Sequence, residues 1–279
     1  MPDSAFDDDQ LRRRYYQSGC HADFPSRVPL HDCATGDLHS PLSVALFGDS
    51  KAAQWFHPLE AIAFRMGWRL EPLTKAGCPP VPAPTRHHPH AKGDYPECNE
   101  WRQIAMARLE RERPRLAILS FYHHYLHIEN RPLAAREWAE ALTPTLQRLV
   151  AAGIRPVLLL DTPCPGFDPI PCLRYHKSLP ARCALTKREA LDACTRKGLV
   201  AAAAAVSAAT WNGSVRPAVV DPADWFCEVA AMDGNNEDAE ELCPAVVAGR
   251  LVYLDPVHAS SQYLTLLGGN LMERLAGLV

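Results

Sequence analysis

The sequence has no long apolar run, no excess charge of one sign and no secretory signal pattern. Its longest stretch of low polarity, residues 199–209, is well short of the ~20 apolar residues that a membrane-spanning helix needs. The net charge of -3 and the pI near 6.5 do not indicate nucleic acid or an anionic membrane as a partner. No segment joins a basic start, an apolar core and a small-residue cleavage site. The chain taken alone is therefore expected to be soluble.

The sequence also lacks a Cys-x-x-Cys pair, although it contains ten cysteines. This absence argues against a structural zinc site and against a thioredoxin-like redox motif. The cysteines lie in polar or proline-rich surroundings, which favours disulfide bonds and an oxidising compartment. The alternative is a cytosolic protein with scattered free thiols. A disulfide-rich chain with no signal of its own is best explained as one domain of a longer, exported protein.

Local spacing suggests which cysteines pair. We predict three bonds between near neighbours, and two more bonds whose pairing stays open among the remaining four cysteines. The near-neighbour pairs are Cys20–Cys33, Cys78–Cys98 and Cys227–Cys243, and the remaining four are Cys164, Cys172, Cys183 and Cys194.

Short apolar runs alternate with helix-like segments along the chain. Most of the runs are continuous rather than alternating in polarity, which indicates a parallel sheet covered on both faces by helices, an α/β fold. Residues 1–40 are polar and punctuated by proline and glycine, so we predict an irregular N-terminal arm packed on a domain of residues 41–279. Strands are predicted at residues 44–47, 68–73, 116–120, 156–161 and 218–221, and helices at 52–66, 100–112, 132–152, 187–209 and 260–275.

One serine stands at the end of the first predicted strand, in Gly48-Asp49-Ser50. That position puts its hydroxyl at the carboxyl edge of the sheet, where open α/β sheets keep their chemistry. Far along the chain, an Asp-Pro-Val-His string ends at His258 and can supply a general base and the carboxylate of Asp255 to orient it. We predict that these three residues form a catalytic triad. The alternative uses are a helix N-cap for Ser50 and a local hydrogen bond for the other two residues.

Several strings around these residues resemble a known family. They are LFGDSKAAQWFHPLE, TKAGCPP, CNEWR, LLLDTPCP, DWFC and CPAVVAGRLVYLDPVH, and together they cover roughly residues 18–279. In this order they resemble the SGNH (GDSL-type) hydrolase superfamily. More narrowly, they resemble the extracytoplasmic SGNH domains fused to acyltransferase-3 proteins, which O-acylate bacterial surface glycans.

The resemblance implies a flavodoxin-like, three-layer α/β/α sandwich, here with five parallel strands and loops stapled by disulfides. It implies an oxyanion hole made by the N–H groups of Ser50 and Gly77 and by a side-chain donor after the third strand. The asparagine that many relatives have there is missing, and Tyr122 is the candidate, with His123 and His124 as alternatives. Lys51 stands where the fused relatives usually have histidine.

Two other groups of residues have a simpler interpretation. The histidines at 123, 124 and 127 and Glu129 lack the spacing of a metal site, because adjacent side chains point apart on a helix or a strand. We therefore expect no metal and no organic cofactor. Trp55 is expected to pack in the core, the alternative being the wall of a sugar-binding cleft.

The resemblance implies that Ser50 carries an acyl group, most simply acetyl, to a glycan or glycolipid of the bacterial envelope. The acyl donor would be delivered by a membrane acyltransferase-3 domain of the parent chain, with residues 1–40 as the linker. The domain would then lie outside the cytoplasm, tethered to the membrane, with no nucleic acid as a partner. The alternatives are a secreted carbohydrate O-acetyl esterase and a non-catalytic glycan-binding domain of the same fold.

Overall fold

The computed structural model describes residues 9–82, 95–122, 127–128, 131–193, 196–212, 215–229 and 241–279. Its strands are β1 His21–Ala22, β2 Thr35–Gly36, β3 Ser43–Gly48, β4 Arg69–Lys75, β5 Leu116–Ser120, β6 His127–Ile128, β7 Arg131–Pro132, β8 Arg155–Leu159, β9 Leu185–Thr186, β10 Ala218–Val220, β11 Glu228–Val229, β12 Glu241–Cys243, β13 Val246–Val247 and β14 Arg250–Leu251. Its α-helices are α1 Asp9–Gln17, α2 Ser50–Ala53, α3 Phe56–Met66, α4 Pro96–Glu112, α5 Ala135–Ala151, α6 Pro169–Tyr175, α7 Lys187–Ala193, α8 Lys197–Ala208, α9 Ser261–Leu266 and α10 Gly268–Ala276. Short 3₁₀ helices form at Pro180–Cys183 and Ala223–Trp225.

The main sheet has the strand order β1-β4-β3-β5-β8-β10, all parallel, and β2 pairs antiparallel with β4. The five strands predicted from the sequence are β3, β4, β5, β8 and β10. Their spatial order is the doubly wound, flavodoxin-like one, with the second strand outside the first and the others following on the opposite side. The predicted fold is confirmed, but the sheet has seven strands rather than five.

Helices cover both faces of the sheet, as the apolar strands predicted. Along β3, Val44 and Leu46 pack on one face with α2, α3, α9 and α10, while Ala45 and Phe47 pack on the other face with α4, α5 and α8. All four side chains are fully buried or nearly so. Each large apolar side chain removed from water contributes roughly 1.5–3 kcal/mol, so this central strand anchors both layers.

Residues 9–40 are more regular than predicted. They contain α1 and the two extra strands, because Tyr15 inserts into the core and stacks on Phe56 with ring centroids 3.9 Å apart. The Tyr15 hydroxyl also lies 2.7 Å from the Thr74 hydroxyl at the end of β4. The expectation of irregular structure is therefore wrong for the helical part, and the role of this arm as a linker stays a prediction.

The single long helix expected over residues 187–209 is also wrong, because α7 and α8 are separate helices. Arg196, the N-cap residue of α8, is buried, and its guanidinium donates to the Asp221 carboxylate at 2.5 Å. This ion pair fixes the N-terminus of α8 to the end of β10, a tertiary contact that an alanine-rich pattern does not reveal.

The disulfides agree with the predicted near-neighbour pairs. The structure contains Cys20–Cys33, Cys78–Cys98 and Cys227–Cys243, and it adds Cys172–Cys183. Cys164 is disulfide-bonded as well, and Cys194 lies outside the described residues. Among the helices of the described ranges, none is long and apolar enough to cross a membrane.

Gly48 allows a test of how closely β3 and β5 pack just before Ser50. A Cβ at this position would lie 1.8 Å from the carbonyl oxygen of Ser120 on β5, so Gly48→Ala forces the two strands apart. We expect a loss of about 1–3 kcal/mol in the free energy of unfolding, measured by urea denaturation. The control is Gly269→Ala in α10, where a Cβ meets no atom within 4 Å and where stability should not fall. Equal stability of Gly48→Ala and the wild type would contradict this packing.

Candidate active site

Ser50 is the first residue of α2, immediately after β3, and its side chain is half-buried. Asp49 caps the helix: its carboxylate accepts the N–H of Lys51 at 2.8 Å. The second oxygen of Asp49 accepts the N–H of Tyr122, just after β5, also at 2.8 Å. The turn that presents Ser50 is thus braced against the neighbouring strand, and its hydroxyl lies at the carboxyl edge of the sheet.

The structure brings together the three residues predicted from the two ends of the chain. His258 Nε2 lies 2.9 Å from Ser50 Oγ, across a separation of 208 residues. His258 Nδ1 lies 2.8 and 3.0 Å from the two carboxylate oxygens of Asp255. The same carboxylate accepts the backbone N–H groups of Val257 and His258 at 2.9 and 2.8 Å. The four-residue loop therefore folds around its own carboxylate and points the imidazole at the serine.

Burial and neighbouring charges shift the pKa values of Asp255 and His258. Burial alone would raise the pKa of Asp255, but the hydrogen bond and charge of His258 and two backbone N–H groups hold that pKa well below its usual value. Burial lowers the pKa of His258 below its usual value, against the opposing effect of Asp255, and the charges of Lys51 and Arg12 lower it further. An ionised carboxylate only accepts hydrogen bonds, so Nδ1 carries the proton and Nε2 accepts from Ser50. A pKa below the usual histidine value favours the neutral form of the His258 imidazole.

Asp49 is buried beside Ser50, and its carboxylate is not part of the hydrogen-bond chain that links Ser50, His258 and Asp255. Burial raises its pKa to about 7, and the N–H groups of Tyr122 and Lys51 oppose that rise. Both of its oxygens are engaged by backbone groups. It therefore braces the turn that carries Ser50.

Lys51 is fully buried, and its ammonium group joins three parts of the site. Nζ lies 2.8 Å from Asp161 Oδ1, just beyond β8, and 3.5 Å from the Thr162 hydroxyl. It also donates to the carbonyl oxygen of Val257, inside the loop that carries His258. The sequence showed Lys51 only as a departure from the family. The contacts indicate that Lys51 fastens the His258 loop to the sheet edge.

Helix α1 also reaches the site, which the sequence did not predict. Arg12 Nη1 lies 3.9 Å from Asp255 Oδ2, and both side chains are about one-third exposed, at 33% and 34%. Such a partly exposed pair contributes little to stability. The anchoring of the helix comes instead from packing and from His57, whose Nε2 donates to the carbonyl oxygen of Leu11 at 2.6 Å.

The predicted oxyanion donors come from the segments that follow β3, β4 and β5. Ser50 begins a helix, where the first N–H groups have no partner within the helix. Gly77 lies in a turn after β4 with φ +58°, and β4 pairs with β3 through Thr74 and Gly48, so the two loops are neighbours. The N–H of Tyr122 is engaged by Asp49. His123 and His124 lie outside the described residues, and the oxyanion roles stay predictions.

Trp55 is fully buried and contacts Trp225 edge-on, with ring centroids 6.3 Å apart. It therefore packs in the core, as expected, and does not line a sugar-binding cleft.

Within the described part of the chain, no group of three histidine, cysteine or acidic side chains is placed to hold a metal ion. Glu129 lies outside that part.

Comparison with known proteins extends the sequence resemblance. A family model described as the SGNH domain fused to AT3 domains matches residues 19–272. The periplasmic domain of a lipopolysaccharide acetyltransferase from Salmonella ser. Paratyphi A is similar in fold, with a TM-score of 0.62, 13% identity, and 98% of this chain and 99% of that chain covered. Est24, a carbohydrate acetylesterase from Sinorhizobium meliloti, has a TM-score of 0.43, 14% identity, and 85% and 100% coverage. No curated protein matches.

The contacts of Lys51 predict that its effect on the reactivity of Ser50 can be separated from its effect on stability. Lys51→Met removes the cation that lies 2.8 Å from the buried Asp161 carboxylate, which should cost about 3–5 kcal/mol of stability. Lys51→Met combined with Asp161→Asn removes the carboxylate charge and should recover most of the stability. The double variant still lacks the bond to Val257, so we expect a serine-directed phosphonate to label Ser50 roughly 10²-fold more slowly.

The matched control is Arg108→Met, which breaks the buried ion pair of Arg108 with Glu71 on β4. Its stability should fall, while the labelling rate of the folded protein stays at the wild-type value. A stable double variant that reacts as fast as the wild type would show that Lys51 only balances the charge of Asp161.

Proposed function

The chain belongs to the family of SGNH domains fused to AT3 domains, and on that premise we propose that it transfers an acyl group through Ser50 to a hydroxyl of a bacterial envelope glycan or glycolipid. The observation that carries the proposal is the chain of hydrogen bonds from Ser50 through His258 to Asp255. A serine is a weak nucleophile unless a base takes its proton, and a carboxylate on the far nitrogen keeps the base in the required tautomer.

The proposed reaction has two halves. First, Ser50 Oγ attacks the acyl carbonyl carbon while its proton moves to His258 Nε2, and His258 then gives this proton to the leaving group as an acyl-enzyme forms. Next, His258 takes the proton of the acceptor hydroxyl, whose oxygen attacks the acyl carbon. The bond to Ser50 breaks, and the proton returns from His258 to Ser50. Asp255 stays ionised throughout and stabilises the imidazolium that forms in each half.

The negative charge on the carbonyl oxygen needs hydrogen-bond donors. We assign the N–H groups of Ser50 and Gly77 to this role, one from each neighbouring loop. Because the N–H of Tyr122 is already engaged by Asp49, a contribution from Tyr122 would come from its phenol. Burial raises the pKa of that phenol above its usual value, so it stays protonated and able to donate.

The acyl donor is proposed to come from a membrane-embedded AT3 domain of the parent protein, since the matching family consists of SGNH domains fused to such domains. The similar fold of a periplasmic acetyltransferase domain supports an extracytoplasmic location, tethered to the membrane, and supports acetyl as the group transferred. We therefore expect the gene to encode several membrane-spanning segments beside this domain.

Hydrolysis is the second candidate function, because Ser50 and Asp255 are only partly covered and water can reach the acyl-enzyme. Transfer and hydrolysis differ in which molecule attacks that intermediate. An activated acetyl ester, supplied with and without glycan fragments, separates the two functions by mass spectrometry. A transferase gives acetylated sugar in proportion to the acceptor, whereas an esterase gives acetate alone.

Labelling of the serine tests the catalytic proposal itself. A fluorophosphonate should attach to Ser50 in the wild type, as located by peptide mass spectrometry, and should not attach in Ser50→Ala. Ser26→Ala, at a serine remote in sequence from the triad, should keep the label. A folded wild-type protein that takes no label would leave the non-catalytic glycan-binding alternative, and a label that persists in Ser50→Ala would assign the reactivity to another residue.

The pH dependence follows from the lowered pKa of His258. Only the neutral imidazole can accept the serine proton, so kcat/KM for an acetyl ester should rise with pH and level off as His258 deprotonates. Because burial lowers that pKa, the midpoint should lie below the usual histidine value of about 6.5. Asp255→Asn should reduce the rate by roughly 10⁴-fold by disturbing the tautomer. An acidic limb centred above neutral pH in the wild type would contradict the assignment of His258.

A further inference from the structure

A cavity of about 450 Å³ opens between α4, α5 and the loop that follows β4. Its wall includes Pro80 and Pro82 from the loop, Arg102 and Gln103 from α4, and Arg148 from α5. This volume falls in the range of small-molecule sites, roughly 300–1,000 Å³. None of the three proposed triad residues lines it, so it is a separate feature of the molecule.

Arg102 is the buried cation of this cavity, and no carboxylate of the described residues forms an ion pair with its guanidinium. The side chain is 7% exposed, and it donates to the carbonyl oxygen of Pro79 at 3.1 Å and to the side-chain amide oxygen of Asn99. Its remaining contact is the sulfur of Cys98 at 3.3 Å. All three partners are neutral. Burial lowers the pKa of Arg102 to about 10, which still leaves it cationic at neutral pH.

The other buried cations of this protein have two kinds of partner. Lys75 donates to the backbone carbonyl oxygens of Asp23 and Phe24, whereas three others face a carboxylate. Lys51 faces Asp161, Arg108 faces Glu71 and Arg196 faces Asp221. A buried charge is costly unless a counter-charge accompanies it. Among the described residues, no ion pair supplies a counter-charge for Arg102.

The second arginine of the cavity does not remove this imbalance. Arg148 makes two bonds to the carboxylate of Glu110, at 2.7 and 2.8 Å, so these two charges offset each other. One positive charge remains, that of Arg102, beside the neutral amide of Gln103 and the hydroxyl of Thr145. A ligand that matches these groups carries one anionic group and several hydroxyls.

We propose that this cavity binds a carboxylate or phosphate group carried by a sugar, as a subsite separate from Ser50. The charge argument for an anion stands without the proposed function, whereas the sugar as carrier rests on it. The subsite adjoins the catalytic region through the chain, because Pro80 lies three residues after Gly77. An acidic glycan held there would contact the loop that carries one proposed oxyanion donor.

Isothermal titration calorimetry with glucuronate, glucose 6-phosphate, inorganic phosphate and glucose tests the proposal. We expect both acidic sugars to bind at least ten times more tightly than glucose and to weaken with added salt. Binding of inorganic phosphate alone would support an anion site and reject the sugar as carrier. No binding of any anion to the wild type would overturn the proposal.

Two variants locate the site. Arg102→Gln removes the positive charge but also a hydrogen bond to the Pro79 carbonyl, so a second single variant is needed. Gln103→Glu adds a negative charge at an exposed position of the cavity wall and leaves Arg102 in place. Each should weaken binding of glucuronate roughly 10-fold or more, a loss of about 1.4 kcal/mol. Gln17→Glu, at an exposed position on α1, is the matched control and should bind normally.

Undiminished binding in both cavity variants would place the anion elsewhere and overturn the assignment. Phosphonate labelling of Ser50 in the same samples keeps the two proposals apart. Binding without labelling would uphold the subsite and reject the catalytic function, whereas labelling without binding would do the reverse.

Discussion

The hydrogen bond between the Ser50 hydroxyl and His258 is the interaction on which the rest of the site depends, and it joins residues 208 positions apart. The sheet makes it possible because β3 lies in the interior of the sheet, between β4 and β5. The serine is therefore presented in the middle of the carboxyl edge, where the loops after several strands meet. The final segment brings the Asp255–His258 loop over that edge just before α9 begins.

Buried polar contacts hold this arrangement in one geometry. Asp49 ties the serine turn to the backbone after β5, while Lys51 ties the His258 loop to Asp161 beyond β8. Each of these groups loses its water on burial and is stable only with its partners in place, so the network favours a single position for His258. The same ammonium lowers the pKa of His258, which couples the position of the loop to its protonation.

Much of the fold followed from the sequence because its signals are local. Continuous apolar runs identified the five main strands, and spacing identified the pairs Cys20–Cys33, Cys78–Cys98 and Cys227–Cys243. What the sequence missed depends on distant partners. Helix α1 is held by the stacking of Tyr15 on Phe56, and the start of α8 is held by the ion pair of Arg196 with Asp221. The role of Lys51 depends on its hydrogen bond to the carbonyl oxygen of Val257. A lysine directly after Ser50 and an aspartate just after a strand were visible signals, but their pairing required the structure.

The protonation state of His258 is the most direct test of the central geometry. Nitrogen-15 NMR of labelled histidines at pH 7, with His258 assigned from its loss in His258→Gln, reports which ring nitrogen carries the proton. We expect a neutral ring protonated on Nδ1, toward Asp255, with Nε2 unprotonated and facing Ser50. A ring protonated on Nε2, or an imidazolium at this pH, would contradict a serine activated by a neutral base.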